Sequence, residues 1–305
     1  MLFADVVLAG GGVSGLLLAG ALSKKCSVIL IEQKETIPQN KYWLTDKMSV
    51  ILNPDIEHCV DMLYNEIDFI AYDGFTARIT GDYSLWDTRK LIDTLVQNLS
   101  DNSVRILTGH RLYSISKEHN GIIIRANSKK ISAKILVDCM GFKSPLVGAK
   151  NIAKITGYYI VYGTEVNMKK EIVPVGLDNV IINQKPTYFE LFPASNGIAQ
   201  AAIILPTQQY KPGRSLGEEL RFIINKSHYS EYIDWKHTSA NKYFGIIPVG
   251  RLTRPALNRI IFFGESGQAN PAASATGLSR ILRTYRGLAN SIIESINNDS
   301  YSEKA

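Results

Sequence analysis

The first thirty-two residues hold the feature that most constrains the fold of this chain. An apolar run from Leu2 to Ala9 leads into the glycine-rich turn Gly10-Gly11-Gly12-Val13-Ser14-Gly15, and a second apolar run from Cys26 ends at Glu32. This order of strand, G-x-G-x-x-G turn, helix, strand and acid is typical of a βαβ unit that binds a dinucleotide. The pattern therefore predicts an α/β, Rossmann-like domain.

The three glycines of this turn have separate expected roles. Gly10 permits the tight turn from strand to helix, because glycine adopts backbone angles that other residues avoid. Gly12 lets the backbone approach a pyrophosphate, and Gly15 lets the helix lie close to the strand. All three positions are therefore predicted to contact the cofactor or to shape its site.

The start of the helix and the acid at position 32 complete the predicted dinucleotide site. Val13 and Ser14 begin the helix, where unpaired N–H groups and the helix dipole stabilise phosphate charge. Glu32 is placed to accept hydrogen bonds from a ribose diol. A carboxylate at this position argues against a 2′-phosphate on the ligand.

Composition and charge narrow the function classes. The chain has 305 residues with 34 basic and 28 acidic side chains, a net charge of +6 that is typical of a solvated basic surface and, as an alternative, suits an anionic carrier or lipid surface. It shows no arginine-rich stripe with interleaved aromatics, so we expect no nucleic-acid partner. The three cysteines and five histidines show no metal-ligand spacing, so we predict no metal. With no signal peptide or long apolar run, we expect a cytoplasmic protein, with peripheral membrane association as an alternative.

The rest of the chain alternates between two kinds of pattern. Helical spacing over 87–99, strands at 104–107 and 135–137, and a hairpin over 112–126 extend the α/β pattern. Between 156 and 248, strand-like runs separated by Pro and Gly predict an inserted, mostly antiparallel sheet with one helix over 216–226. We therefore predict a discontinuous dinucleotide-binding domain (1–45, 80–154 and 255–305) and a substrate-binding region (46–79 and 155–254).

Two later segments indicate which dinucleotide is bound. Leu136 to Leu146 reads as a strand followed by D-x-x-G-x-x-S-P-L, with its glycine at Gly141. Phe263 to Pro271 reads as a strand end, Gly264-Glu265 and a small-residue turn, and a helix follows from Gly277 and Leu278. Either segment alone is also typical of a packed strand-loop-helix connection. The two segments become informative about the cofactor because they occur in this order after the first glycine turn.

In this order the chain resembles the FAD-dependent group that contains p-hydroxybenzoate hydroxylase-like monooxygenases, geranylgeranyl reductases, lycopene cyclases and flavin halogenases. The resemblance implies a glutathione-reductase-type FAD-binding domain with FAD as cofactor. Because the sequence has only one dinucleotide fingerprint, NAD(P)H, if it is the reductant, is expected to bind transiently against the flavin. It implies that Glu265, where the group has Asp, contacts the ribityl chain. It also implies that Gly141, Pro271, Gly277 and Leu278 lie near the flavin, with the helix dipole stabilising the reduced ring.

Within this group, short motifs in the middle of the chain resemble lycopene cyclases and geranylgeranyl reductases. They are Tyr162 to Val166, Pro186 to Pro193 and Ile247 to Gly250. Lycopene cyclases carry paired glutamates on the strand after the Phe-Pro segment, and this chain has Ile198 to Ile203 there, with no acid. This departure counts against carotenoid cyclisation.

The sequence favours an FAD-dependent oxidoreductase of monooxygenase type that acts on a hydrophobic or aromatic small molecule in biosynthesis. An isoprenoid double-bond reductase, a redox-neutral cyclase that needs reduced FAD, and a non-catalytic flavin-binding protein stay open. Strand alternation places Glu190 with Tyr188 and Phe192, so Glu190 is the candidate acid or base, although a charged strand residue usually faces water. Tyr42 is a second candidate. A carrier-bound or membrane-dissolved substrate, or a partner protein that completes the pocket, is a further hypothesis.

Overall fold

The structure is a computed structural model that describes residues 1–37, 42–70, 73, 75–100, 104–169, 176–182, 185–207, 215–226, 228–235, 242–268, 270 and 277–302. The chain divides into two compact units. The first unit comprises Met1–Lys41, Thr88–Lys154 and Gly250–Ala305, and the second comprises Tyr42–Asp87 and Ile155–Val249.

Helices and strands alternate along the first unit, and strands dominate the second. The helices are α1 (Val13–Leu22), α2 (Met48–Ile51), α3 (Thr88–Ser100), α4 (Pro145–Lys150), α5 (Leu216–Lys226) and α6 (Gly277–Asn297), with short 3-10 helices at Pro54–Cys59 and His228–Glu231. The strands are β1 (Leu2–Ala9), β2 (Val28–Ile31), β3 (Tyr42–Asp46), β4 (Val60–Ile70), β5 (Thr76–Asp87), β6 (Val104–Leu107), β7 (Leu112–Glu118), β8 (Gly121–Ala126), β9 (Lys129–Asp138), β10 (Ala153–Met168), β11 (Gly176–Ile182), β12 (Lys185–Pro193), β13 (Ile198–Thr207), β14 (Ile233–Asp234), β15 (Lys242–Leu252), β16 (Ala256–Leu257) and β17 (Ile260–Phe262).

The first unit is an α/β domain, as the opening pattern predicts. Its described strands form one sheet with the path β16-β17-β9-β1-β2-β6, in which β17, β9, β1, β2 and β6 pair in parallel. The β7-β8 hairpin joins the same sheet through the antiparallel pairing of β8 with β9. The central parallel strands are continuously apolar, as expected of strands that are covered on both faces, and Val7 and Ile29 share one core cluster with Ile122 of β8. All four residues of β2 are buried, as are the last four of β1.

The second unit is the predicted, mostly antiparallel sheet. Its described strands run in the order β14-β10-β13-β12-β11-β4-β5-β3, with β15 beside β10, and the β11-β4 pair is parallel. One face of β10, β13 and β12 packs on α5 through a core that includes Val166, Ala201, Leu191 and Leu220. Residues at the alternate positions of these strands therefore lie on the opposite face.

The structure corrects the predicted domain bounds in two places. The sequence pattern places residues 42–45 and 80–87 in the dinucleotide domain, but β3 and β5 pair with each other and β5 pairs with β4 in the second unit. The pattern places residues 250–254 in the substrate region, and they belong to the first unit. The long β4-β5 hairpin has mixed polar and apolar residues, and its burial does not alternate cleanly, so its strands carry no recognisable period-2 signal.

Membrane-spanning and metal-binding features are absent from the described residues. None of their helices has the length and apolar character that a bilayer crossing needs. Over those same ranges, no group of three or more His, Cys, Asp or Glu side chains is placed to hold a metal ion. The three cysteines are all buried, and none of them forms a disulfide.

Candidate active site

The first turn of the chain is built around two glycines that have no room for a side chain. Gly10 has φ +114°, and a Cβ there would lie 2.3 Å from the carbonyl oxygen of Cys139. A Cβ at Gly15 would lie 2.0 Å from the carbonyl oxygen of Gly10. Because these neighbours are backbone atoms, no rotamer change relieves the clash, so both positions require glycine.

The third glycine of the turn differs from the other two. Gly12 is the N-cap residue of α1 and has an extended backbone conformation, so no side chain occupies the N-terminal end of the helix. A Cβ at Gly12 would meet no described atom within 4 Å. The helix therefore begins at Val13 and Ser14 beside open space, where N–H groups that lack intrahelical partners are available to a phosphate. This cradle fits the pyrophosphate of a dinucleotide.

The acid at the end of β2 is fixed in place by the backbone. Glu32 is buried, and its Oε2 accepts from the N–H of Gly11 at 2.8 Å while its Oε1 accepts from the N–H of Lys34 at 2.9 Å. A carboxylate oxygen accepts more than one hydrogen bond, so both oxygens keep capacity for a ribose diol. The position of Glu32 next to the glycine turn fits the role expected from the sequence.

The second turn, after β9, is organised by a buried acid. The carboxylate of Asp138 accepts from the hydroxyl of Ser144 and from the N–H of Met140 at 2.9 Å. Its carbonyl oxygen accepts from the Ser266 hydroxyl at 2.5 Å and from the N–H of Phe263 at 2.9 Å. Burial raises the pKa of Asp138 although these hydrogen bonds oppose the shift. Asp138 therefore ties the second turn to the third.

The third turn brings Glu265 against the second turn. Gly141 has φ +77°, and a Cβ there would lie 3.4 Å from Oε2 of Glu265. The carboxylate of Glu265 accepts from the backbone N–H of Phe142 and from Nδ2 of Asn270 at 3.5 Å. Burial raises the pKa of Glu265, and the hydrogen bonds from Asn270 and Phe142 partly offset this.

The beginning of α6 lies beside Asn270 of the third turn. A Cβ at Gly277 would fall 2.0 Å from Oδ1 of Asn270, and Leu278 is buried. Gly264 has φ +72°, and a Cβ there would lie 2.5 Å from Oγ of Ser14, so the third turn also touches the first. Pro271 lies outside the described residues. The three glycine-containing turns of the first unit thus meet, and we call them the three-turn site.

In the second unit, Glu190 lies on the face of the sheet opposite α5. Its neighbours Phe189 and Leu191 are fully buried in the core on the α5 side, as strand alternation predicts. Glu190 itself is half-buried, and desolvation of its carboxyl raises the pKa to about 7. A carboxyl with this pKa carries a proton part of the time at neutral pH and is suited to general acid catalysis.

A second carboxyl lies on the same face of this sheet. Gly163 of β10, Ala202 of β13 and Glu190 of β12 stand in one row across the strands. In the next row Glu165 of β10 is paired with Gln200 of β13, and both side chains are buried. β13, which has no acidic residue over 198–203, therefore lies between two strands that each carry a carboxyl on this face, Glu165 on β10 and Glu190 on β12.

The second catalytic candidate, Tyr42, has a packing role in the structure. It is buried in a cluster with Leu85 and Phe192, and its hydroxyl accepts from Nδ2 of Asn196 at 3.4 Å. Its segment shows neither a helical nor a strand pattern in the sequence, but Tyr42 is the first residue of β3. Its place in the apolar cluster accounts for an aromatic residue here, and a catalytic role for Tyr42 stays a prediction.

One further polar residue near the carboxyls is not evident from the sequence. The ring of Tyr243, on β15, covers Gly163, where a Cβ would lie 2.2 Å from the phenol oxygen. Burial and the charges of Glu190 and Glu165 raise the pKa of Tyr243 well above its usual range. A glycine in the middle of a strand often marks such a close approach, but it does not say which residue approaches.

The fold and the glycine turns define a Rossmann-like α/β class of protein. A parallel sheet with a G-x-G-x-x-G turn, a carboxylate after β2 and a separate antiparallel sheet is an architecture that this chain shares with solved structures, among them a halogenase in complex with FAD. The model of the lycopene cyclase protein family matches residues 5–187, more than half of the chain. The chain belongs to the lycopene cyclase family.

Two curated relatives are chloroplastic lycopene beta cyclases from plants. The Oncidium hybrid cultivar protein is 24% identical over 180 residues, covering 58% of this chain and 37% of that protein. The Arabidopsis thaliana protein is 21% identical over 318 aligned positions, covering 97% of this chain and 61% of that protein. The chain thus spans less than two thirds of the length of both relatives.

Solved structures share the fold at low sequence identity. A geranylgeranyl bacteriochlorophyll reductase-like protein from Thermoplasma acidophilum has a TM-score of 0.81 at 17% identity, covering 100% of this chain and 81% of that one. The halogenase PltM, solved with FAD, has a TM-score of 0.78 at 12% identity, covering 99% and 71%. PqsL, a probable FAD-dependent monooxygenase from Pseudomonas aeruginosa, has a TM-score of 0.73 at 14% identity, covering 98% and 90%.

Proposed function

We propose that this chain is an FAD-dependent enzyme that protonates a carbon–carbon double bond of a hydrophobic isoprenoid, as a redox-neutral cyclase. The observation that carries the proposal is Glu190, a half-buried carboxyl whose pKa is raised to about 7. Protonating a polyene requires an acid that still holds its proton at neutral pH, and an ordinary solvated glutamate does not. Membership of the lycopene cyclase family supports this substrate class.

The three-turn site supports FAD as the cofactor. In this proposal Gly12, Val13 and Ser14 hold the pyrophosphate, and Glu32 holds the adenosine ribose. Glu265 holds the ribityl chain, and the start of α6 at Gly277 and Leu278 faces the flavin ring. When bound and reduced, FAD supplies either a hydride or a negative charge that stabilises a carbocation.

The lack of acidic residues on β13 is compatible with cyclisation once the neighbouring strands are considered. The paired glutamates that lycopene cyclases carry on this strand are replaced by Gln200, Ala201 and Ala202. Glu165 and Glu190 stand on the two neighbouring strands and on the same face of the sheet. We propose that these two carboxyls take the acid and base roles, with Glu190 as the proton donor.

A monooxygenase-type oxidoreductase is the second candidate, with NAD(P)H as a transient reductant. The fold similarity to PqsL over 98% of this chain favours it.

An isoprenoid reductase is a third candidate. It is favoured by the fold similarity to the Thermoplasma acidophilum reductase-like structure, which covers the whole chain. In all three cases we propose a hydrophobic substrate that is carrier-bound or dissolved in a membrane, and peripheral association of the protein with that membrane or with a partner protein.

An anaerobic experiment separates the cyclase from the reductase. The holoprotein is reduced with dithionite, mixed with the acyclic polyene lycopene, and assayed for products and for flavin absorbance. We expect a cyclised isomer with the flavin still reduced, and a Glu190→Gln variant that keeps its flavin but forms product at least about a hundredfold more slowly. A reduced polyene with oxidised flavin would instead establish the reductase. A parallel aerobic assay, with NAD(P)H in place of dithionite, tests the second candidate: substrate-stimulated NAD(P)H oxidation that consumes oxygen would establish the monooxygenase.

A further inference from the structure

The first unit contains a cavity of about 710 Å³ on the flank of α6. Its walls come from α6, from the β16-β17 edge of the parallel sheet and from residues 300–302 that follow α6. Ligand sites for small molecules have volumes of about 300–1,000 Å³, so the cavity has the size of such a site. It adjoins the third turn at Gly264 and Gly267, but none of the described residues that we assign to FAD lines it.

The side of α6 that borders the cavity differs from the side that packs on the rest of the unit. Leu282, Tyr285 and Ala289 are buried and recur at spacings of three and four residues, as on one face of a helix. A neighbouring face with the same spacing lines the cavity through Thr284, Leu288, Ser291 and Ser295. Between residues 280 and 295, which both line the cavity, α6 rises about 22 Å, so the cavity is elongated. We call it the α6 groove.

The middle of the α6 groove is apolar. Ile261 stands between Ile260 and Phe262, which are buried in the core on the other face of the sheet, so strand alternation directs Ile261 to the groove. Leu257 of β16 and Leu288 of α6 also line the groove and are only partly buried. Covering such side chains with an apolar ligand removes their surface from water, which is favourable. The groove therefore favours a ligand with an apolar body.

The charged groups of the α6 groove are all positive. Arg259, Arg280 and Arg283 line it, and its described lining residues include no aspartate or glutamate. Arg280 and Arg283 are exposed and lie about one turn apart on α6, where two like charges repel each other. An anion bound across both guanidinium groups relieves this repulsion. The groove therefore also favours a ligand with an anionic head.

Arg259 holds the wall at the end of the groove that is remote from the start of α6. Its guanidinium Cζ lies 3.9 Å from the ring centroid of Tyr301, and its Nη1 donates to the carbonyl oxygen of Lys134 at 3.2 Å. Its backbone N–H donates to the carbonyl oxygen of Tyr301 at 3.3 Å. These contacts fix residues 300–302 beside the sheet edge and engage the Arg259 guanidinium. The anionic head is therefore expected at the two arginines near the start of α6.

We propose that the α6 groove binds a single-chain amphiphile with a phosphate head, with the phosphate on Arg280 and Arg283 and the chain along Ile261 and Leu288. A guanidinium group binds an oxyanion through two parallel hydrogen bonds. A carboxylate has two oxygens and matches one such pair of donors. A phosphate monoester has three terminal oxygens and about 1.5 to 2 negative charges at pH 7, so it serves two arginines. This site lies in the first unit and does not depend on the acid chemistry proposed for Glu190.

The test is calorimetric titration of the holoprotein with monododecyl phosphate below its micelle concentration. Dodecanoate, dodecyltrimethylammonium and inorganic phosphate are titrated beside it. We expect one monododecyl phosphate per chain with a dissociation constant below about 100 µM, and binding at least about tenfold weaker for each of the other three. The weaker binding is expected because each of these three lacks the phosphate head or the apolar chain.

Four variants locate the bound molecule. Arg280→Gln and Arg283→Gln should each weaken binding of monododecyl phosphate at least about tenfold, because each removes a charge-assisted pair of hydrogen bonds. Ser291→Trp should abolish binding, because it places an indole in the groove from an exposed position of α6. Arg286→Gln is the matched control and should leave binding unchanged, since Arg286 is an exposed arginine of the same helix that does not line the groove.

Several results would overturn the proposal. Equal binding of the dodecyl cation would show an unselective apolar surface, equal binding of inorganic phosphate would show that no chain is bound, and equal binding of dodecanoate would remove the phosphate assignment. Wild-type affinity in Ser291→Trp would place the ligand elsewhere. A dimer in sedimentation that Ser291→Trp converts to a monomer would mean that a second copy of the chain occupies the groove. Retained flavin absorbance and an unchanged urea midpoint show that each variant is folded.

Discussion

Replacing Glu190 with glutamine removes a carboxyl whose ionisation the folded protein opposes. Desolvation raises its pKa from 4.5 to about 7 in the folded protein. In the unfolded chain the carboxyl is solvated and ionises at its usual pKa. Between these two values the folded protein holds more protons than the unfolded chain, so the free energy of unfolding of the wild type falls as the pH rises.

The size of this effect follows from the two pKa values. One pKa unit corresponds to about 1.4 kcal/mol, so ionising Glu190 in the folded protein costs about 3 kcal/mol. Glutamine has the same shape and no proton to lose. The stability of Glu190→Gln relative to the wild type should therefore be constant below about pH 4.5, rise between about pH 4.5 and 7, and be about 3 kcal/mol higher above about pH 7.5.

The assay is urea denaturation of both proteins at a series of pH values, followed by tryptophan fluorescence. Trp86 in β5 is fully buried and reports on the second unit, which contains Glu190. The control is Glu118→Gln, an exposed glutamate at the end of β7, which should change stability by the same small amount at every pH. If the difference in unfolding free energy between Glu190→Gln and the wild type does not vary with pH, the reasoning is refuted. That result would mean that the folded protein does not raise the pKa of the Glu190 carboxyl.

Three glycine and capping variants test the three-turn site. Gly12→Leu should lose flavin, while the unfolding free energy of its apoprotein stays within about 0.5 kcal/mol of that of the wild-type apoprotein, since no described atom lies within 4 Å of the added Cβ; retained yellow colour would contradict it. Gly15→Ala should instead destabilise the first unit by about 3 kcal/mol or more, because its Cβ meets a backbone oxygen at 2.0 Å. Ser144→Ala should cost about 2 kcal/mol in urea denaturation, because Ser144 both caps α4 and hydrogen-bonds buried Asp138; a change under about 0.5 kcal/mol would count against that role.

The parts of the fold that can be predicted well from the sequence are those set by local pattern. The predicted helix over 216–226 has the bounds of α5, and the run before the first glycine turn is β1. These segments are recognisable because helical periodicity, continuous apolar runs and glycine turns each act over a few residues. The convergence of the turns at Gly10, Gly141 and Gly264 follows from the parallel order of β1, β9 and β17.

The parts that could not be predicted depend on pairing between distant segments. The hairpin of β4 and β5 has polar residues on both faces, so no alternation marks its strands. Tyr243 reaches Gly163 from a strand about eighty residues further along the chain, and nothing in its own neighbourhood signals that contact. The raised pKa of Glu190 likewise depends on what surrounds its carboxyl in the fold, which strand alternation alone does not determine.

The most direct test of the proposed chemistry is the mass of the product formed from lycopene by the reduced holoenzyme in D2O without oxygen. Proton donation by Glu190 followed by loss of a different hydrogen predicts an isomer that has gained one deuterium per ring formed, with the flavin still reduced. A product that has gained two hydrogen isotopes with flavin oxidation would contradict cyclisation in favour of reduction. A product that gains oxygen only when air and NAD(P)H are supplied would contradict both.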